Sequence, residues 1–376
     1  MKTSISKLPL QRPTWAEVNL DALHANYSKL QKIAAPAKVL AVVKSDAYGH
    51  GAVQIATELA ANGVSFFGVA TAAEAKELRE AGIKTPILIL SGMTPQQLPL
   101  LRQFDFIPSV YTRVFYDELA RFAETNQQKI KIHIKIDTGM HRLGFDPAEA
   151  REILDHPSSF LEVDGIFTHF ACSELANDDG TLQQISLFRE FTRNVKANFL
   201  HAANSAAILN YPESRFDLVR PGLLLYGISP IGEESDFAPV LTLKSKIVFL
   251  NQISAGETIG YGRTFEAKRE SLIATVPIGY ADGLRRALSN KLKVEVAGVL
   301  CPIAGTISMD LCMIDVTKVR DKVQLYDTVT FLGPQTNVWQ WAKLLNTIPY
   351  EITCLIGARV PRVYYKNGSI YDVYYP

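Results

Sequence analysis

The sequence predicts an α/β chain in which a (β/α)8 TIM-type barrel is followed by a mostly-β C-terminal domain. The first observation is that eight short apolar runs alternate with segments of helical spacing between residues 39 and 227. Eight such units match the strand count of a closed barrel. The second is a change of pattern after about residue 241, where β-like runs bounded by Gly, Pro and Asn follow one another. The predicted domains are therefore residues 1–240 and residues 241–376.

The barrel strands are predicted from apolar runs, because strands covered on both faces are almost continuously apolar. In chain order they are residues 39–44, 65–70, 86–90, 106–112, 131–136, 163–170, 198–205 and 218–227. Helical spacing occurs at residues 52–61, 72–80, 99–103, 113–125, 147–154 and 182–197. A doubly wound open sheet has the same alternation but more often stops at five or six strands, so the barrel is favoured.

The C-terminal domain is predicted from β-like runs at residues 243–253, 272–279, 293–299, 313–316 and 328–332. Within it only residues 338–345 have convincing helical spacing. These features predict a domain built mainly from β-strands.

Composition excludes several classes of function. The 376 residues carry a net charge of +1 without a basic run, which argues against nucleic acid or a membrane surface as partner. No apolar stretch is long enough to span a bilayer, and residues 1–14 lack the apolar core of a signal peptide. The four cysteines are scattered without CxxC spacing, which predicts reduced thiols, a cytoplasmic protein and no metal site.

The first barrel strand ends in a lysine, Lys44, followed by the glycine-rich turn of the sequence AVVKSDAYGHG at residues 41–51. Desolvation lowers the pKa of a lysine and frees the lone pair that a Schiff base needs. The alternative is an ordinary lysine at a strand end whose amine reaches solvent.

Further polar residues lie at the carboxyl ends of the predicted strands, where barrel enzymes keep their active sites. They are Lys135, His169, Asn204, Ser205, Arg220 and Gly222. Ser205 and Gly222 follow strands seven and eight, a frequent place for phosphate sites in barrels. A phosphate site together with an amine that forms an imine is what pyridoxal 5′-phosphate (PLP) requires.

Nine motifs along the chain resemble those of alanine racemases, PLP-dependent enzymes with a barrel and a β domain. They are AVVKSDAYGHG at 41–51, KIDTGMHRLG at 135–144, FTHFA at 167–171, HAANSAA at 201–207, RPGLLLYG at 220–227, GYGRTF at 260–265, GYADG at 279–283, GTISMD at 305–310 and RVPRVY at 359–364. The resemblance implies a small amino acid as substrate and the interconversion of L- and D-alanine by two bases acting on a PLP aldimine. It leaves open whether the D-alanine serves peptidoglycan synthesis or the reaction runs catabolically.

The resemblance also implies the roles of the two bases. Lys44 would hold PLP and act on one face of the substrate Cα, and Tyr261 would act on the opposite face. Arg286, together with a relay through His169, would favour the ionised form of Tyr261.

The implied cofactor contacts come from several motifs. Arg220 would face the pyridine nitrogen, and because arginine only donates, that nitrogen would stay unprotonated. Tyr48, Ser205, Gly222 and Leu223 would hold the phosphate. The implied cofactor-binding set also includes His169 and Asn204. Ala358 stands where some members have a phosphate-contacting tyrosine, so somewhat looser PLP binding is expected.

Four residues are implied to act on the substrate side. Arg142 would reach the phenolic oxygen of PLP or the substrate carboxylate, and Lys135 would be carbamylated and orient Arg142. The alternative for Lys135 is an ordinary pairing with an acid such as Asp137. Tyr280 and Met309 would line the substrate entrance and, with Tyr261, reach the barrel of a second subunit. The resemblance thus implies a homodimer with a shared active site.

Three alternatives remain open at the level of sequence. The chain would be a racemase of another amino acid such as serine if the pocket had more room than Tyr280 and Met309 suggest. A non-catalytic PLP-binding protein would lack the β domain that carries Tyr261. A decarboxylase of the same architecture would use a cysteine, for which Cys312 is the candidate.

Overall fold

In a computed structural model, which describes residues 11–375, the chain forms two compact units. One unit is His24–Ala238, and the other contains the described residues of 1–23 and 239–376. Most of the segment for which no signal peptide is expected lies outside the described residues. None of the helices within residues 11–375 combines the length and apolar character needed to cross a membrane.

Eight parallel strands close into a barrel in chain order, after a first strand β1 (Thr14–Asn19) and helix α1 (Leu20–Ala34). The barrel strands are β2 (Lys38–Val42), β3 (Phe66–Val69), β4 (Ile87–Ile89), β5 (Ile107–Val110), β6 (Ile130–Lys135), β7 (Leu161–Phe167), β8 (Phe199–Asn204) and β9 (Leu218–Arg220). Strand β2 also pairs with β9 through Lys38 and Leu218, which closes the barrel. The predicted barrel is confirmed.

The helices of this unit follow the strands as the alternation predicts. They are α2 (Lys44–Gly49), α3 (Ala52–Ala61), α4 (Ala72–Glu80), α5 (Leu98–Phe104), α6 (Arg113–Thr125), α7 (Pro147–Asp155), α8 (Asp179–Thr192) and α9 (Ser205–Asn210). The segment α2 is a helical turn of unusual hand, because Ser45, Asp46, Ala47 and Tyr48 all have φ between 52° and 54°.

The barrel strands end at different residues than predicted, and the differences at β2 and β9 concern site residues directly. Strand β2 ends at Val42, so Lys44 begins the turn α2 instead of closing the strand. Strand β9 ends at Arg220, and residues 223–226 form a 3-10 turn whose four side chains are buried. Apolar composition alone does not separate a buried turn from a buried strand, which explains the overlong prediction for residues 218–227.

The second unit is mostly β, as predicted. Its further strands are β10 (Leu241–Lys246), β11 (Phe249–Ile253), β12 (Thr258–Ile259), β13 (Phe265–Glu266), β14 (Ser271–Val276), β15 (Lys293–Val296), β16 (Val299–Pro302), β17 (Cys312–Asp315), β18 (Thr328–Leu332), β19 (Arg362–Lys366) and β20 (Ser369–Tyr374). Its helices are α10 (Val338–Leu345), the one predicted, and α11 (Pro349–Cys354), which was not.

These strands form three sheets. The largest has seven strands in the order β16-β15-β18-β10-β1-β19-β20, another has the order β11-β14-β17, and β12 pairs with β13. Residues 243–253, predicted as one run, therefore contribute to two different sheets. A buried cluster that includes Leu243, Val276 and Phe331 forms the apolar core of this unit.

Strand β1 lies inside the seven-stranded sheet, antiparallel to β10 and parallel to β19. The sequence analysis assigned residues 1–240 to the barrel and did not separate this strand from it. Its partners, residues 241–245 and 362–365, lie more than two hundred positions further along the chain. Local periodicity contains no information about such a distant pairing.

Candidate active site

The turn α2 places two of the predicted site residues, Lys44 and Tyr48, one helical turn apart. Its backbone is held from outside, since the Ser45 amide donates to Glu74 Oε1 at 2.7 Å. Asp46 Oδ1 accepts the Ala52 amide at 2.7 Å, which fixes the start of α3. Lys44 is partly buried, and its charge is near enough to lower the pKa of Lys135 and of His169.

A small concave surface lies after strands β8 and β9. Ser205 Oγ accepts the backbone N–H groups of Gly222 at 3.0 Å and Leu224 at 3.4 Å, which leaves its hydroxyl proton available to a further acceptor. A Cβ at Gly222 would lie 2.5 Å from the hydroxyl oxygen of Tyr48, so only glycine allows that hydroxyl so close to the backbone. Two hydroxyl donors therefore meet at one glycine, as a phosphate site requires.

Arg220 is 5% exposed and lies at the end of β9. Its Nη2 donates to the carbonyl oxygens of Thr168 and Ala202, both at 2.8 Å, and lies 3.2 Å from His169 Nδ1. Burial lowers the pKa of Arg220 to about 9, which leaves it a guanidinium at neutral pH. A fixed, buried donor thus faces the same end of the barrel.

The barrel end is strongly cationic. The pKa of Lys135 is lowered to about 8, first by burial and then by the neighbouring charges of Arg220, Arg142 and Lys44, against an opposing effect of Asp137. The pKa of His169 lies well below its ordinary range, first through burial and then through the same cations. His169 is therefore neutral, and the site favours an anionic ligand.

The loop after β6 positions Arg142. Asp137 Oδ1 accepts the backbone amides of Gly139, Met140 and His141 at 2.9–3.1 Å, which folds the loop, and Arg142 follows it as an exposed side chain. Among the described residues, no carboxylate lies within 4.0 Å of Lys135 Nζ. The alternative of a Lys135–Asp137 ion pair is thus not found, although the two charges influence each other.

Asn204 has a local role in this structure. Its Oδ1 caps α9 by accepting the Ala207 amide at 2.9 Å, and it also accepts the Ser173 hydroxyl at 2.9 Å. This cap sets the direction of the turn that presents Ser205. The apolar side chain of Leu223, by contrast, is buried beside Gly222, so the backbone of Leu223 is the part that would contact a phosphate.

The remaining predicted residues lie in the second unit. Tyr261, Tyr280 and Met309 are large and well exposed, at 71%, 42% and 53%. Their loops are bonded together, because Thr306 Oγ1 donates to the Tyr261 carbonyl at 2.8 Å and the Tyr280 amide donates to the Ser308 carbonyl at 3.0 Å. Arg286 and Ala358 are also exposed on this unit.

The structure therefore groups the predicted residues by unit. The barrel unit brings together Lys44, Tyr48, Lys135, His169, Ser205, Arg220 and Gly222. Sequence reasoning missed three buried polar residues behind Arg220, namely His133, Asp164 and His201. Their signal was present, since each is a polar residue inside a strand that is otherwise mainly apolar.

Comparison with known proteins agrees with this geometry. Residues 18–230 match the family described as "Alanine racemase, N-terminal domain", and residues 240–364 match "Alanine racemase, C-terminal domain". An alanine racemase of Clostridium novyi is 39% identical, covering 96% of this chain and 98% of that protein.

Two solved structures have the same fold over nearly their whole length. Alanine racemase of Clostridium difficile 630 superposes with a TM-score of 0.92 at 34% identity, covering 98% of this chain and 99% of that one. Alanine racemase of Bartonella henselae, solved with covalently bound pyridoxal phosphate, gives 0.88 at 33% identity, covering 94% and 99%. With both family domains matched and relatives aligned from end to end, the chain belongs to the alanine racemase family.

Proposed function

We infer that this chain is a PLP-dependent alanine racemase, an isomerase that interconverts L- and D-alanine. The observation that carries this inference is the meeting of an amine, a buried guanidinium and a two-hydroxyl cradle at one end of the barrel. Family membership adds the cofactor and the substrate, since relatives along the whole chain are alanine racemases.

The residues present fit PLP. The cradle of Tyr48, Ser205 and Gly222 offers hydroxyl and backbone donors to a phosphate, and the surrounding cations favour its charge. When bound, PLP supplies an electron-withdrawing ring that stabilises negative charge at the substrate Cα. Arg220 would donate a hydrogen bond to the ring nitrogen and keep its own proton, because a guanidinium has no acceptor and its pKa remains about 9.

Racemisation requires proton transfer on both faces of the substrate Cα. We assign one face to the Lys44 amine, which also holds the cofactor covalently, and the other to the Tyr261 hydroxyl. The exposure of Tyr261 supports a role at a surface that receives another chain, because a tyrosine 71% exposed on its own unit has little packing function. Tyr280 and Met309 would crowd the substrate side chain and favour alanine.

A shared active site in a homodimer is the second part of the proposal. The loops that present Tyr261, Tyr280 and Met309 are bonded together and leave these three large side chains exposed. Contiguous apolar and aromatic exposure of this kind is typical of interfaces. A second copy of the chain is the occupant that the family resemblance implies.

Carbamylation of Lys135 fits its surroundings. With a pKa of about 8, a usable fraction of its amine is neutral at neutral pH. The neutral amine adds to CO2 through a new N–C bond and loses one proton to water, which replaces a buried positive charge by a negative one. The product would attract Arg142 and Arg220, two cations that repel the unmodified lysine.

A cytoplasmic location is proposed from the thiols. Cys301 and Cys312 are buried and carry free thiols, as is usual in a reducing compartment. In that compartment the D-alanine produced would serve as a precursor of peptidoglycan.

A chiral product assay across common amino acids tests the reaction. We expect alanine to be racemised fastest and serine slowly, because a pocket discriminates by only about 10–200-fold per methylene group. Faster racemisation of serine or lysine would favour another amino-acid racemase, and no turnover with any substrate would favour a non-catalytic PLP-binding protein. A decarboxylated product would point to the third alternative.

Borohydride reduction tests the cofactor attachment independently. After reduction and peptide mapping, the pyridoxyl group should be found on Lys44. Recovery of the label on Lys135, the other lysine of this cluster, would contradict the assignment of the base.

A further inference from the structure

A row of four buried polar side chains runs through the barrel behind the proposed cofactor site. It begins at Arg220 on β9 and continues through His201 on β8 and His133 on β6 to Asp164 on β7. The distances are 3.0 Å from Arg220 Nη1 to His201 Nδ1 and 2.8 Å from His201 Nε2 to His133 Nδ1. His133 Nε2 lies 3.7 Å from Asp164 Oδ2. All four residues are at most 5% exposed.

The direction of the hydrogen bonds along this row is fixed by arginine, which has donors and no acceptor. Because Arg220 only donates, His201 Nδ1 must accept, and the proton of that ring lies on Nε2. His201 Nε2 then donates to His133 Nδ1, which places the His133 proton on Nε2, facing Asp164. Burial lowers the pKa of both imidazoles, so each ring is neutral. This tautomer satisfies the contacts from Arg220 to His133, whereas His133 Nε2 has no hydrogen-bond partner among the described residues and faces the Asp164 carboxylate at 3.7 Å.

Asp164 ends the row with a full negative charge. The polar contact with His133, the Asn198 amide that donates to Asp164 Oδ1 at 2.8 Å, and the charge of Lys131 lower the pKa of Asp164 to about 2 against the opposing effect of burial. Arg220 itself contacts carbonyl oxygens and imidazoles, and no carboxylate lies within 4.0 Å of it in the described part of the chain. Two neutral rings therefore connect a buried cation to a buried anion.

Gly165 provides an independent sign that the row is built into the fold. A Cβ at this position would lie 2.5 Å from both Nδ1 and Cε1 of His133. The residue beside Asp164 is thus small enough to let the His133 ring pass over β7 and reach His201. The space taken by that ring is the reason for a glycine here, because the backbone of Gly165 is not left-handed.

We propose that Asp164 is a positioning residue that acts through His133 and His201 to hold the Arg220 guanidinium in the orientation required by the cofactor. This inference rests on the proposed function, in which Arg220 faces the pyridine nitrogen of PLP. Asp164 places a negative charge 3.7 Å from the nitrogen that carries the last ring proton. Without that charge the rings lose the electrostatic preference that, together with Arg220, keeps His201 Nδ1 unprotonated.

The test replaces Asp164 by asparagine, which keeps the size of the side chain and removes its charge. Nitrogen NMR of the histidine rings, measured on cofactor-free protein, should show the Nε2-protonated tautomer for His133 and His201 in the wild type. In Asp164→Asn we expect a mixture of tautomers at His133. The dissociation constant for PLP should rise about tenfold, which equals about 1.4 kcal/mol, and kcat should fall while KM for alanine stays nearly constant.

Two further variants separate this role from a purely structural one. Gly165→Ala leaves the Asp164 charge in place and displaces His133, so it should reproduce the loss of PLP affinity. Lys131→Gln removes the exposed ammonium group 3.7 Å from Asp164 Oδ1 and should leave the tautomers and the PLP affinity unchanged.

The outcomes are distinct. If Asp164→Asn lowers only the melting temperature, with unchanged ring tautomers and PLP affinity, Asp164 is structural and the proposal is overturned. The proposal also fails if the tautomers change while PLP affinity and kcat do not. If the wild type itself bound no PLP, the proposed function would fail instead, whereas the NMR result on cofactor-free protein would still report on the row.

Discussion

Replacing Gly222 by alanine should weaken PLP binding through a steric effect that the structure defines. The added Cβ would lie 2.5 Å from the Tyr48 hydroxyl oxygen and 2.9 Å from the ring carbon that bears it. Ordinary van der Waals contact begins near 3.4 Å, so the Tyr48 hydroxyl must move by about 1 Å. Gly222 has a negative φ of −112°, so the penalty of a left-handed backbone does not apply to alanine here.

The size of the loss in PLP affinity follows from the hydrogen bond that the Tyr48 hydroxyl would donate to the phosphate. Tyr48 belongs to the turn α2, and the backbone of this turn is hydrogen-bonded to Glu74. Because the turn is held in place, the displaced Tyr48 hydroxyl cannot be returned to the phosphate by a shift of the whole turn. Loss of a hydrogen bond to a charged group costs about 1.5–3 kcal/mol. We therefore expect the PLP dissociation constant to rise about 10- to 150-fold, measured by fluorescence titration of cofactor-free protein, with little change in melting temperature.

A double-mutant cycle sharpens this test. Tyr48→Phe removes the hydroxyl oxygen and leaves the 2.9 Å contact as the closest, so Gly222→Ala should have a smaller effect in that background than in the wild type. Gly180→Ala is the matched control, because its nearest neighbour is a flexible carboxylate oxygen of Asp178 at 3.2 Å. Unchanged PLP affinity in Gly222→Ala, or fully additive losses in the double variant, would refute the reasoning.

Three other predictions address the dimer, the modified lysine and the thiols. Lys44→Ala and Tyr261→Phe should each be inactive. An equal mixture after subunit exchange should regain about a quarter of wild-type activity, because half of the dimers are heterodimers and each of these has one of its two sites intact. Continued inactivity with confirmed heterodimers would exclude a shared site. About a tenth of Lys135 is neutral at pH 7, so a carbamate signal should appear with 13C-labelled bicarbonate and vanish in Lys135→Ala; a signal that persists would place the carbamate elsewhere. Burial raises the pKa of Cys301 to about 11, so iodoacetamide at pH 8 should label it only after unfolding; labelling in the folded protein would contradict its burial.

The barrel could be predicted because its evidence is local and repeated. Each barrel strand is a short apolar run, and all eight were predicted in their chain order. The β unit was harder, because its pairings join distant residues. Strand β1 pairs with residues 241–245 and 362–365, and no pattern within residues 14–19 indicates those partners. Fold class follows from periodicity, whereas sheet order depends on contacts that periodicity does not encode.

The candidate site shows the same division. Lys44, Ser205 and Gly222 could be selected because polar and small residues at strand ends are conspicuous in an apolar background. His133 and His201 were passed over because a buried histidine in a strand has many structural explanations. Their function became visible only through the 2.8 Å contact between two rings on strands that are not adjacent in the barrel.

The hand of the turn α2 is the feature that sequence reasoning could not supply, and it explains how one short segment serves two roles. Four consecutive residues without a glycine, 45–48, have φ near 53°. Left-handed conformation costs roughly 1–2 kcal/mol per residue, so the segment stores several kcal/mol that its neighbours must offset. The bonds from Ser45 to Glu74 and from Ala52 to Asp46 contribute to this. The turn follows directly on the end of β2, and its period places Lys44 and Tyr48, four residues apart, on the same side. Strain of this kind is characteristic of functional sites, which agrees with the proposal that the Lys44 amine and the Tyr48 hydroxyl serve the same cofactor from one turn.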